Sequence, residues 1–187
     1  YAGTWHEIAR LPMWFQRHCV DSKATYTVRA DGAIGVRNEC ITDTGGHDRI
    51  EGVATVVDTS TNARLRVVFD NFFARLFGSL REGNYWILAL DPEYQTAMVG
   101  TPDRRFLWIL SRSRQLDEPT YQRLVEQAKR FGFPISDLIR TRRPAAYRSA
   151  DQVCAQASLS TWRPSPARCA LKSLTRTRLF PARVENL

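Results

Sequence analysis

The amino-acid sequence predicts an all-β domain: an eight-stranded antiparallel up-and-down barrel with one C-terminal α-helix packed outside. Three observations lead to this prediction. Eight short segments rich in β-branched and aromatic residues follow one another at a spacing of roughly 10 residues. Short polar connections between these segments alternate with longer ones. A single segment with helical periodicity comes after the last predicted strand.

Each predicted strand is rich in β-branched or aromatic residues, and turn residues bound it. The turn Ala-Asp-Gly-Ala at residues 30–33, for example, separates the second strand from the third. The predicted strands span residues 4–10, 24–29, 34–42, 51–57, 65–69, 85–90, 96–100 and 106–111.

The helix is predicted between Asp117, its expected N-cap, and Gly132, its expected stop, with Pro119 in the first turn. Its apolar residues recur with a 3.6-residue period, so they form one stripe that is expected to pack against the outside of the sheet. The stripe comprises Tyr121, Leu124, Val125, Ala128 and Phe131.

The net charge of +8 is concentrated at one end of the chain. Residues 142–187 carry nine Lys and Arg against Asp151 and Glu185, which leaves residues 1–141 almost neutral. We therefore predict a barrel with its helix over 1–141, without a nucleic-acid-binding surface. The segment 142–187 shows no sustained apolar period and is predicted to be a disordered or loosely attached basic tail. An alternative role for this tail is binding to an anionic membrane surface or another anionic polymer.

The connections of an up-and-down barrel alternate between its two ends. One predicted end receives the short polar turns at residues 30–33, 58–63 and 91–95, and the other receives residues 11–21, 42–49, 70–83 and 101–105. Two of the longer loops are aromatic. An eight-stranded barrel holds at most one small ligand, and aromatic loops at its entrance indicate an apolar one.

Trp5 and Arg112 are predicted to meet at the closed end, one in the first strand and one at the end of the last. A guanidinium stacked on an indole is a favourable cation–π pair. We expect this pair to fasten the last strand to the first.

The same residues carry a family resemblance. Gly3 with Trp5, Asp91 with Tyr94, and Arg112 resemble the three signature regions of the lipocalins. The segments YWILALDPEY, VGTPDRRFLWILSR and TYQRLVEQAKRFGF are similar to those of bacterial lipocalins, the apolipoprotein D-like outer-membrane lipoproteins. The resemblance covers residues 1–140 and leaves the tail unmatched.

The resemblance implies a binding, storage or transport protein that needs no cofactor and catalyses no reaction. It implies a place on the periplasmic face of the bacterial outer membrane, as a monomer or homodimer. The membrane attachment is expected to be a lipid anchor, with the anchor and the signal peptide outside the sequence given.

Strand phase predicts the cavity lining, because alternate residues of a strand share a face. Glu7 and Ala9 are expected to follow Trp5 inside. The resemblance implies that the Trp108 face of the last strand is the inner one, with Ala89 on the same side. The alternative is that these side chains fill a solid core. The predicted ligand-binding residues are Ala24, Tyr26, Val36, Asn38, Leu65, Val67, Phe69, Tyr85, Ile87, Phe106, Trp108 and Leu110.

A deep apolar cavity with a few polar contacts from Asn38 and two tyrosines suits a fatty acid or a lysophospholipid. Arginines on the open-end loops are placed to meet a carboxylate or phosphate head. They are Arg75, Arg81 and Arg105.

Cys19 and Cys40 flank the hairpin that turns near Asp31, and regular pairing sets Cys40 opposite Ser22. We expect a disulfide between them, which an exported protein permits. Two unrelated thiols are the alternative. The pairing of the other two cysteines, in the tail, is left open.

An enzyme that uses a cavity-mouth thiol at Cys19, beside His18, is a second alternative to a binding protein. No hydrolase elbow, phosphate loop or dinucleotide motif supports an enzyme. The histidines lack metal-ligand spacing, so no metal site is predicted.

Overall fold

The computed structural model describes residues 1–69 and 83–141. Two short 3-10 turns lie at Trp14–Gln16 and Ile135–Asp137. The other elements are β1 (Gly3–Arg10), β2 (Cys19–Val28), β3 (Ile34–Thr42), β4 (His47–Val56), β5 (Arg64–Phe69), β6 (Tyr85–Leu90), β7 (Thr96–Gly100), β8 (Leu107–Ser111), α1 (Glu118–Arg130) and β9 (Ile139–Arg140). Within the described ranges, no helix combines the length and apolar character needed to cross a membrane.

Strands β1 to β8 form a closed antiparallel up-and-down barrel, because each pairs with the next and β1 also pairs with β8. This confirms the predicted fold class. The closed end carries the turns at residues 29–33, 57–63 and 91–95, and the connections at the open end include residues 11–18, 43–46 and 101–106. The predicted aromatic loop at 70–83 lies almost entirely outside the described residues.

Two strands begin earlier than predicted. β2 begins at Cys19 rather than residue 24, and β4 begins at His47 rather than residue 51. The added residues, at the open-end start of each strand, include polar ones such as Asp21 and Asp48. They therefore do not show the alternation of apolar and polar residues by which the sequence predicts a strand. Strand β9, which pairs with Ala9 and Arg10 of β1, was also not predicted. A strand of two residues is too short to show an alternating pattern.

A bulge in β1 changes which side chains face inward. Glu7 lies opposite Leu110, but Ala9 lies opposite Ile109, so one extra residue is inserted between these pairs. Ala9 therefore packs in the apolar cluster beneath α1. The prediction that Ala9 lines the interior is wrong for this reason, and Arg10 takes the inward position opposite Trp108.

A second bulge, in β6, has the same effect. Ile87 lies opposite Val99 in the inner cluster, whereas Ala89 lies opposite Met98 and packs toward α1. The prediction that Ala89 faces inward is therefore also wrong.

The helix α1 covers the outside of β1, β7 and β8. Asp117 caps it by accepting a hydrogen bond from the backbone N–H of Thr120 at 2.9 Å, as predicted. The buried residues of α1 are Tyr121, Leu124 and Ala128. Phe131 does not belong to the buried stripe, because it lies past the last helical residue as the C-cap and is 44% exposed.

Arg112 fastens the closed end. Its guanidinium carbon lies 3.9 Å from the ring centroid of Trp5, which is 0% exposed. The same guanidinium donates hydrogen bonds to the carbonyl oxygens of Thr4 at 2.9 Å, Ala2 at 2.8 Å and Tyr94 at 3.2 Å. One side chain thus joins the start of β1, the end of β8 and the turn between β6 and β7.

The other signature residues shape the surroundings of this arginine. Gly3 has a φ of +99°, and a Cβ atom there would lie 3.1 Å from a guanidinium nitrogen of Arg112. Asp91 accepts hydrogen bonds from the backbone N–H and the hydroxyl of Thr96, which shapes the turn. Tyr94, at a φ of +57°, turns its carbonyl toward Arg112.

We expect Trp5→Ala to lower the free energy of unfolding by about 3–5 kcal/mol through the cavity it creates, and Arg112→Ala to lower it less. The two losses should be strongly non-additive in a double-mutant cycle measured by urea denaturation, because the residues touch. As the control, Arg64→Ala removes a cation–π contact on Trp86 elsewhere on the barrel, and its effect should add to that of Trp5→Ala. Additive losses for Trp5 and Arg112 would contradict a shared role in closing the barrel.

Candidate ligand cavity

The barrel encloses a cavity of about 360 Å³ that extends toward the open end. Ligand pockets in proteins measure about 300–1,000 Å³, so this volume suits one small ligand. The alternative of a solid core is therefore wrong. The apolar and aromatic side chains that line the cavity are Phe15, Ala24, Tyr26, Val36, Ile50, Val67, Phe69, Tyr85, Val99, Trp108 and Leu110.

The structure brings nine of the twelve predicted ligand-binding residues together around this cavity. They are Ala24, Tyr26, Val36, Asn38, Val67, Phe69, Tyr85, Trp108 and Leu110. The other three do not line it. Leu65 and Ile87 pack into the cluster around Trp5 nearer the closed end. Phe106 is covered by Phe15 and Trp108, at centroid distances of 5.5 and 6.2 Å.

Several lining residues were missed for identifiable reasons. Ile50 lies opposite Asn38, but it precedes the predicted start of its strand. Val99 lies opposite Trp108 in β7, whose residues are all buried, so no alternation reveals its phase. Phe15 comes from the short 3-10 turn after β1, where the sequence shows only that the loop is aromatic.

A buried polar network lies on the cavity wall toward the open end. Glu7 accepts hydrogen bonds from Arg10 at 2.9 Å and from the amide of Gln16 at 2.6 Å. The same amide contacts the hydroxyl of Ser22 at 3.0 Å, and the indole N–H of Trp108 donates to the Gln16 carbonyl at 3.2 Å. The Arg10 and Glu7 side chains are only 5% and 3% exposed. Their pairing is what allows two charges inside the barrel.

This network also holds the loop that follows β1. Arg10 donates to the backbone carbonyls of Gln16 at 3.0 Å and Cys19 at 3.3 Å. The loop therefore has a defined position, with Phe15 on the cavity and Trp14 56% exposed beside the entrance.

Cys19 and Cys40 form the expected disulfide, with their Cα atoms 5.6 Å apart, and Cys40 pairs with Ser22 as predicted. Both cysteines line the cavity. Because its sulfur is bonded, Cys19 offers no thiolate for nucleophilic chemistry in this state. Cys154 and Cys169 lie outside the described residues. Residues 1–69 and 83–141 contain no group of three or more metal-ligating side chains.

Three tyrosines lie at the inner end of the cavity. The Tyr85 hydroxyl is 2.8 Å from that of Tyr26 and 3.0 Å from that of Tyr1. Burial raises the pKa of Tyr26 to about 12 and raises the pKa of Tyr1 and Tyr85 well above 10. The hydroxyls therefore stay neutral at physiological pH. The Tyr1 ring stacks on Trp5 with their centroids 5.0 Å apart.

The head-group arginines predicted at the open end are only partly described. Arg105 is exposed and lies over the Phe106 ring, with its guanidinium 3.9 Å from Asp103. Arg75 and Arg81 lie outside the described residues. Lys23 and Arg49, which were not predicted, border the cavity, but they alternate with the inward-facing Ala24 and Ile50 and therefore point to the outer face.

Comparison with known proteins agrees with the barrel and its signature residues. The family model for the lipocalin-like domain matches residues 1–143. Temperature-induced lipocalin-1 of Arabidopsis thaliana is 44% identical over 145 residues, which cover 75% of this chain and 76% of that protein. The outer membrane lipoprotein Blc of Escherichia coli K12 is 37% identical over 147 residues, 78% of each chain.

The structure of lobster apocrustacyanin A1 matches with a TM-score of 0.60 over 78% of this chain and 79% of that one, at 17% identity, and supports the fold alone. The family match, the relatives and the signature residues gathered around Arg112 lead to one conclusion: this chain belongs to the lipocalin family, close to the bacterial lipocalins.

Proposed function

We propose that this protein binds one fatty acid or one lysophospholipid in its barrel and stores or transports it without chemical conversion. The lipocalin fold and the relatives support binding of a small hydrophobic ligand. The observation that carries the finer proposal is the cavity itself: about 360 Å³, mostly apolar, open at one end and closed at the other above Trp5.

The shape of the cavity favours a single acyl chain. Its apolar wall residues come from strands on all sides of the barrel, and its inner end is bounded by the neutral tyrosines. A chain that enters from the open end buries its methylenes in sequence, and each contributes up to about 0.8 kcal/mol.

The charged side chains near the open end do not distinguish the two head groups. Lys23, Glu39 and Arg49 alternate along their strands with the inward-facing Ala24, Asn38 and Ile50, so they point to the outer face of the barrel. There the Lys23 ammonium lies 3.1 Å from Glu39. We therefore propose both classes of lipid as ligands.

We further propose that the protein acts at the periplasmic face of the bacterial outer membrane, attached by a lipid anchor, as a monomer or homodimer. The Escherichia coli relative named an outer membrane lipoprotein supports this location, and the Cys19–Cys40 disulfide suits an oxidising compartment. The Arabidopsis relative shows that similar chains also occur outside bacteria.

The affinity for saturated fatty acids and lysophospholipids should rise with chain length until the chain reaches the inner end of the cavity, and then level off. Each buried methylene should tighten binding by up to about fourfold, equivalent to about 0.8 kcal/mol. Isothermal titration calorimetry across a chain-length series measures this. An affinity independent of chain length would contradict acyl-chain binding.

Trp108→Arg should abolish binding, because it places a charge on the apolar path of the chain and removes the indole that bonds to Gln16. Circular dichroism checks that the barrel remains folded. Trp14→Arg is the matched control: Trp14 is exposed and outside the cavity lining, so this variant should bind normally. Equal loss in both variants would point to a role other than cavity occupancy.

Removal of the basic tail after Thr141 should leave lipid affinity unchanged, because the described cavity is built by residues before that point. The tail itself, residues 142–187, lies outside the described residues. Titration calorimetry on the truncated and full chains tests this. If truncation abolishes binding, the tail rather than the barrel holds the ligand.

A further inference from the structure

The cavity wall carries a hydrogen-bond acceptor that the barrel leaves unsatisfied, the side-chain amide oxygen of Asn38. This atom is buried beneath the wall surface, and no donor in residues 1–69 or 83–141 bonds to it. The amide therefore has to turn about its Cβ–Cγ bond to present this oxygen to the cavity. Its cross-strand neighbours on the same face are Ala24 and Ile50, and Val36 follows two residues along β3. None of these side chains carries a hydrogen-bond donor. A buried acceptor without a partner costs about 1–3 kcal/mol.

Four other polar side chains of the wall, those of Ser22, Tyr26, Tyr85 and Asn84, have protein partners. Ser22 belongs to the Glu7 network, and the tyrosine hydroxyls bond to one another. Asn84 is the clearest contrast, because its amide accepts from the backbone N–H of Val67 at 2.8 Å and donates to the carbonyl of the same residue at 2.9 Å. Asn84 thus has a structural role in the wall, and Asn38 has no such bonds.

The position of Asn38 indicates which part of a ligand it would meet. On β3 it lies between Cys40, toward the open end, and Val36, which pairs with Tyr26 toward the inner end. β3 continues toward the open end for four residues beyond Asn38, to Thr42, which is about 13 Å of strand. Asn38 therefore lies deeper in the cavity than a head group held at the entrance. Its apolar neighbours offer no counter-charge, which favours a neutral donor over an ammonium.

We propose that the Asn38 amide turns toward the cavity and accepts a hydrogen bond from a hydroxyl group on the acyl chain, so that the cavity selects hydroxylated chains over unsubstituted ones. This inference rests on the proposed function and deepens it by naming a ligand class. A site with a buried polar group discriminates strongly against a ligand that leaves this group unpaired.

The test compares octadecanoic acid with a series of hydroxyoctadecanoic acids that differ only in the position of the hydroxyl, from near the carboxyl end to mid-chain. Titration calorimetry is done on the full chain. At least one isomer should bind about tenfold more tightly than the unsubstituted acid. This preference should peak at one region of the chain, because Asn38 has a fixed depth.

Asn38→Val removes the acceptor and suits a strand. It should abolish the preference while the unsubstituted acid binds as well as before or better. Ile50→Val is the matched control, since it changes an apolar neighbour at the same depth and should keep the preference. If Asn38→Val does not fold, Asn38→Leu makes the same comparison, and the wild-type series alone still tests the preference.

The outcomes separate this inference from the function on which it rests. If all acids bind equally, or if the preference survives in Asn38→Val, the role of Asn38 is wrong and the proposed function stands. If neither the acids nor the lysophospholipids bind, both are overturned.

Discussion

The barrel depends on a single cation held at its closed end. Arg112 stacks on Trp5 and donates hydrogen bonds to carbonyls on both sides of it, those of the opening segment and that of Tyr94. Arg112 is 108 residues from Thr4 in sequence, so this contact closes a long loop of chain. Because the contact joins the first strand to the last, it reinforces the pairing of β1 with β8 that closes the ring of strands. A cavity closed at one end follows from that ring.

The architecture was predictable because its signals are local. Strand composition, polar turns and the Asp117 cap can each be recognised within a few residues. The bulges could not be predicted in this way. The residues at the two bulges, such as Ile8 and Leu88, are apolar. Apolar residues suit both the barrel interior and the surface beneath α1, so their type does not show which way they face. Each bulge reverses the pattern beyond it, which is why Ala9 and Ala89 were misplaced.

The lining of the cavity was predictable where no bulge interrupts the alternation of inward and outward side chains, as in the hairpin that carries Tyr26 and Asn38. The network of Glu7, Arg10 and Gln16 could not be predicted from the sequence, because it forms only when the bulge turns Arg10 inward. Ser22 and Asp48, which line the cavity toward the open end, were also missed, since they belong to the polar extensions of β2 and β4. Local patterns therefore identify the walls of the cavity, whereas its polar groups depend on distant pairing.

The tryptophans occupy separate environments, and this has a spectroscopic consequence. Trp5 is enclosed between the Tyr1 ring and the Arg112 guanidinium, away from solvent and from any guest. Trp108 is the one tryptophan of residues 1–69 and 83–141 that lines the cavity. The emission of an indole responds to the polarity around it, so filling the cavity changes the emission of Trp108, whereas that of the enclosed Trp5 stays constant. Trp108 is thereby an intrinsic fluorescent probe of cavity occupancy, with no label required.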